Sequence, residues 1–167
     1  MERNRSVIAL VIKRKNGMKI YCVKPISGES GKDVFEYYER IRKTLLDIGY
    51  DVLTPLYGKG KLRTELEFKA HGYENDPLTT NHAIFGRDKF FVQQSDIIFA
   101  NFIGASRVSI GSIMEIAIGH MVGKQIVVVM EKDNIHRHSF VLEASTIVFE
   151  GENEAINYLN EIQNQEF

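Results

Sequence analysis

SDIIFANFIGASRVSIGSIMEIAIGHMVGKQIVVVM, running from Ser95 to Met130, holds two short apolar runs, Ile97–Phe99 and Ile126–Met130. Between them lie a loop with Gly104, Ser106, Arg107 and Ser109, then a helical pattern over Ile110–Val122 that ends at Gly123-Lys124. Strand, loop, helix and strand in that order make the βαβ unit of an open parallel sheet. Ligands of such sheets bind at the carboxyl ends of the strands. Small residues in the loop let a phosphate or a sugar approach the backbone and the helix N-terminus. One acid, Glu115, interrupts the otherwise apolar first turns of the helix.

Working outward, Met18–Val23 is a second apolar run, and Asn16-Gly17 separates it from a third, Val7–Ile12. Asn-Gly between such runs signals a hairpin, so Val7–Ile12 is expected to be an antiparallel edge strand. Phe35, Tyr38, Ile41, Leu45 and Ile48 recur at helical spacing over Asp33–Ile48, with Gly49 as the C-cap. Tyr50–Thr54 reads as a strand, Ile84–Gln94 as a helix, Thr146–Phe149 as a last strand and Glu152–Gln163 as a closing helix. From Pro55 to Asn81 the pattern dissolves into Gly, Lys, Glu, His and Pro, which marks either a functional lid or a disordered segment. Alternating strands and helices predict one doubly wound α/β domain over residues 1–167, a mostly parallel sheet with helices on both faces.

Composition bounds the function. With 167 residues, 44% of them hydrophobic, the chain can fill one full core. A net charge of −1 gives no electrostatic case for a nucleic-acid polymer as partner. The lone cysteine, Cys22, leaves no internal disulfide framework and fits a reducing compartment. No apolar run approaches the roughly 18 residues of a membrane span, and the N-terminus lacks a small-residue cleavage site. A cytoplasmic protein with no membrane partner is expected.

The spacing Ser109-x-Gly111-x-x-x-Glu115, extended as Gly111-Ser112-x-x-Glu115-Ile116-Ala117, resembles the signature of the nucleoside 2-deoxyribosyltransferase superfamily, which includes the 2'-deoxynucleoside 5'-phosphate N-hydrolases. Two further matches lie in register. Asp88 stands eight residues before Asp96, the aspartate that opens the strand, and IYCVKPISGESG (Ile20–Gly31) is similar to the family's first strand and its phosphate- and sugar-facing loop. Together the three span Lys19–Met130.

The resemblance implies that Glu115 attacks the anomeric carbon and that Asp88 is the acid or the group orienting the base. It also implies that Ser109, Gly111 and Ser112 hold the 5' end of the substrate, with Ile26, Ser27 and Gly28 in the facing loop. Lys24-Pro25 replaces the small residues usual in that loop. A serine at position 109, where relatives acting on free nucleosides carry an acid, points to a 5'-monophosphate. By the same resemblance, Asn134 or His136 reaches across a subunit interface into a neighbour's site, so a homodimer or larger homo-oligomer is expected.

Rival readings stand beside these. Glu115 is otherwise a surface acid near a helix N-terminus, and Asp88 an exposed residue between Arg87 and Lys89. Ser109 doubles as a helix N-cap, and Tyr21 is either core or near the sugar. His136-x-His138 falls on one face of an expected strand, but no third ligand lies at a metal-site spacing, so no metal and no cofactor are expected. The expected activity is N-glycosidic cleavage of 2'-deoxynucleoside 5'-monophosphates through a covalent glycosyl-glutamate. Its alternatives are base exchange between free deoxynucleosides, NAD-type N-glycoside cleavage, and a nucleotide-sensing module without turnover.

Overall fold

The middle of each central strand is apolar, in Ile20–Val23, Ile97–Ala100 and Ile126–Val129, so each strand must be covered on both sides, and the fold does this by alternation. A computed structural model describes residues 17–164. Five strands, β1 (Lys19–Val23), β2 (Asp51–Leu53), β3 (Ile97–Asn101), β4 (Gln125–Val129) and β5 (Ile147–Phe149), form one sheet in the order β2-β1-β3-β4-β5. All four pairings are parallel. In the three central strands, Ile20, Cys22, Ile97, Phe99, Val127 and Val129 point to one core, while Tyr21, Val23, Ile98, Ala100, Ile126 and Val128 point to the other. This two-sided burial is what a parallel sheet requires. The expected edge strand Val7–Ile12 lies outside the described residues.

Helix α1 (Gly31–Ile48) covers the first face with Val34, Phe35, Tyr38, Ile41 and Leu45. Ser30 caps its start, and Gly49, at φ 113°, ends it by returning its N–H to Leu45 and Leu46. The other face carries α2 (Asn81–Gln94) and α3 (Ile110–Met121), joined to that core by Val92 and Ile116. Short α4 (Ser139–Ala144) and closing α5 (Glu152–Asn164) complete the chain. No described helix is long and apolar enough to cross a membrane.

One expectation needs correction. His136-x-His138 is not on a strand: the segment turns, and the His138 ring caps α4 by accepting from the Phe140 N–H at 3.2 Å. Helix α4 itself escaped the sequence reading because it is short and buries only Val141. The stretch between β2 and α2 is ordered around a 3-10 turn at Gly60–Thr64. Leu62 and Phe68 are buried there, and Gly28 N–H to Phe68 O (2.9 Å), Phe68 N–H to Glu29 O (2.8 Å) and Gly31 N–H to Glu65 O (2.8 Å) bind it to the loop after β1.

Gly119 lets α3 sit close to β3, since a Cβ there would lie 3.0 Å from Ile98 Cγ1 and 3.6 Å from Ile126 Cδ1. Gly119→Val is therefore expected to overpack this contact by about 1–3 kcal/mol and to lower Tm by several degrees in a thermal melt. An unchanged Tm would show that the helix can move off the sheet without loss.

Candidate active site

In the order β2-β1-β3-β4-β5 the winding reverses between β1 and β3, and the loops leaving their carboxyl ends part there. A cavity of about 430 Å³ opens at that point, within the range of roughly 300–1,000 Å³ usual for small-molecule sites. Its walls are the loop after β1, the β2–α2 segment, α2 and the start of α3.

Glu115 and Asp88 both line the cavity. Strand alternation puts Tyr21 on the face of α3, where its hydroxyl donates to Glu115 Oε1 at 2.7 Å. Burial, and then the nearby Asp88 charge, push the Glu115 carboxyl from the ordinary 4.5 up to about 8, while the Tyr21 hydrogen bond and Lys59 pull the other way. Burial raises the Tyr21 phenol, and Glu115 adds to the rise. Tyr21 is core: it is fully buried, does not line the cavity, and meets it only through Glu115.

Asp88 is 9% exposed and is no surface acid. Lys59 Nζ lies 3.6 Å from its Oδ2 and Arg87 Nε 3.7 Å from its Oδ1. Burial raises the Asp88 carboxyl, and Lys59 and Arg87 oppose that rise. Sequence reasoning missed Lys59, which sits in the stretch where periodicity disappears and looks there like any solvated lysine.

Ser109 caps α3, its Oγ accepting from the Ser112 N–H at 3.4 Å and pairing with Ser112 Oγ at 2.9 Å. Its own N–H donates to His136 Nε2 at 2.8 Å. His136 is buried, stacks on Phe102 at 4.2 Å between ring centroids, and has Nδ1 3.1 Å from Asn134 Oδ1. Burial lowers the His136 pKa, consistent with a neutral ring whose Nε2 accepts. Asn134 in turn donates to Phe102 O at 2.8 Å and to Glu131 Oε2 at 2.6 Å. The hydrogen-bonding groups of Asn134 and His136 are thus engaged within their own chain, behind Ser109.

Ile26, Ser27, Ser109, Gly111 and Ser112 line the cavity; Gly28 and Asn134 do not. In the loop after β1, the backbone donors of Gly28 and Gly31 are spent on the β2–α2 segment and do not face the cavity. Lys24, Lys59, Lys69, Lys89 and Arg107 line the same cavity against the carboxylates Asp88 and Glu115, a cationic excess that the chain's net charge conceals. Among the described residues no group of three His, Cys, Asp or Glu is placed to hold a metal ion.

Fold and cavity together define a class, a doubly wound α/β domain with a cavity at its switch point. Within it, the chain is similar to a 2-deoxyribosyltransferase of Bacillus psychrosaccharolyticus, with 19% identity over 89% of this chain and 93% of the other and a TM-score of 0.59. It is also similar to a CMP N-glycosidase of Clostridium botulinum, with 14% identity over 85% and 98% of the two chains and a TM-score of 0.54. The fold that the sequence motifs implied is the fold observed. No family model matches the chain, and no curated protein is similar to it by sequence.

The raised Glu115 pKa has a sign that can be measured. Between pH 4.5 and about 8 the folded chain keeps a proton that the unfolded chain has released, so this group's contribution to stability falls as pH rises through that window. Glu115→Gln should therefore melt close to wild type near pH 4.5 and increasingly above it towards pH 8. A difference in Tm that does not vary with pH would mean the carboxyl does not titrate in this range.

Proposed function

We propose that the chain cleaves the N-glycosidic bond of 2'-deoxynucleoside 5'-monophosphates through a covalent intermediate on Glu115. The observation that carries this reading is Glu115 itself, a carboxyl group held by Tyr21 in the lining of a cavity that Asp88 also lines. Breaking the bond from C1' to a base nitrogen passes through an oxocarbenium-like transition state. A carboxylate under the ring stabilises that charge and then bonds to C1'. Water resolves the glycosyl ester in a second displacement, which gives net retention. Asp88 is the second charged group, at the departing base. Fold analogy adds to this, since both structural neighbours are named for N-glycosyl or deoxyribosyl chemistry.

The monophosphate preference rests on Ser109 and the cationic lining. An acid at the N-terminus of α3 would repel a phosphate dianion, whereas Ser109, Arg107 and Lys24 leave room for it. An acceptor base in place of water would turn the same intermediate into base exchange. The exposed row Ile110, Met114 and Met121 on α3, with Phe140 on α4, supports self-association as part of the proposal; sedimentation would measure it.

Because only ionised Glu115 can attack, kcat/KM is expected to rise with pH through about 8. Glu115→Ala should bind substrate yet lose several orders of magnitude in rate, and a 2-fluoro-arabino nucleotide should add mass to a peptide containing Glu115. A variant keeping more than about a tenth of wild-type activity would remove Glu115 as nucleophile.

Ser109→Asp should depress monophosphate turnover far more than nucleoside turnover. The decisive quantity is the ratio of kcat/KM for the two substrates in each variant. A wild type that prefers the free nucleoside, with a ratio the substitution leaves unmoved, would reduce Ser109 to a helix cap.

A further inference from the structure

Lys59 is 2% exposed, yet its side chain lines the cavity beside Asp88 and Glu115. Its backbone is tied down by donation to Leu56 O at 2.9 Å and by acceptance from the Leu62 N–H at 2.8 Å. The ammonium is therefore placed by the ordered β2–α2 segment and does not swing freely in solvent. A buried charge persists only when it is paired, and the partner here is Asp88, with Nζ 3.6 Å from Oδ2. Arg87 approaches the other oxygen, with Nε 3.7 Å from Oδ1.

Asp88 thus stands between two cations, which favour its ionised form against the rise that burial imposes. Lysine begins near pKa 10.4 and aspartate near 3.9, so the proton of such a pair resides on the lysine. An ionised Asp88 has no proton to give. The charged lysine has three N–H donors and no acceptor, and its pKa shifts readily when it is buried. Burial lowers the Lys59 pKa, with Arg87 adding to the fall and Asp88 opposing it.

Building on the N-glycosidase reading above, we propose that Lys59, not Asp88, delivers the proton to the departing base, and that Asp88 is the positioning residue that fixes the ammonium. In the first displacement Glu115 forms a bond to C1' while the bond from C1' to the base nitrogen breaks. The electron pair goes to the base, and one ammonium proton of Lys59 moves onto it, leaving a neutral amine. In the second, a water attacks C1' and its proton passes to that amine. The Glu115 carboxylate and the Lys59 ammonium are both regenerated, so no outside acid or base is consumed.

The test compares a purine 2'-deoxynucleoside 5'-monophosphate with its 7-methyl derivative, whose base leaves neutral and needs no proton. Lys59→Met should lower kcat/KM on the ordinary substrate by about 10²–10⁴-fold and on the methylated one by less than about 10-fold. Lys59→Arg should not restore the ordinary reaction, because a guanidinium keeps its proton. Equal losses on the two substrates, or rescue by arginine, would overturn the proposal and leave Lys59 as a charge or a structural prop. The wild-type pH profile answers without any variant: the ordinary substrate should show an alkaline fall in kcat/KM that the methylated one lacks, and identical profiles would also overturn it. If folded wild type turns over neither substrate, the glycosidase reading itself fails. If Glu115→Ala abolishes turnover while Lys59→Met treats both substrates alike, only the role of Lys59 fails.

Discussion

The winding of the chain reverses between β1 and β3, and no connection can run over the carboxyl ends of these two strands without crossing the other. The loops after Val23 and Asn101 must diverge, and the space between them becomes the cavity. Everything proposed for the site depends on this. Tyr21 stands at the last-but-two position of β1 and faces α3 together with Val23, and α3 begins where the β3 loop ends. A one-residue slip of β1 would turn Tyr21 to the α1 face and leave Glu115 without its donor.

Placing Glu115 and Asp88 in one enclosed site is unfavourable, because burial and like charge both oppose ionisation. The fold answers with a phenol on one carboxylate and a lysine and an arginine beside the other. Those compensating groups come from β1, the β2–α2 segment and α2, so the charge balance exists only when three separate parts of the chain meet. The start of α3 is arranged by a similar relay. Asn134 sets His136, His136 accepts from Ser109, and Ser109 caps α3.

Periodicity carried much of the architecture. The alternating apolar strands, the 18-residue helix α1 and the βαβ unit around Glu115 are long or strongly patterned, and their boundaries fell within a few residues of those observed. Helix α4 carries too little periodicity to read, and residues 55–80 owe their order to backbone pairing with the β1 loop, which leaves no pattern in side chains. Gly28 looked like a ligand-facing donor for the same reason: its N–H partner, Phe68 O, lies 40 residues away.

What the amino-acid order determined by itself was the strands, the longer helices that cover them and the helix N-cap at Ser109, because each depends on residues a few positions apart. It also singled out Glu115 and Asp88 as carboxylates worth placing. Only the tertiary structure decided that Asp88 is buried between two cations, that Tyr21 reaches Glu115 across 94 positions, and that Lys59 shares their cavity. Charge and proton position depend on distances through space and on exclusion of water. Neither is encoded in local spacing, so they appear only once the chain has closed around the site.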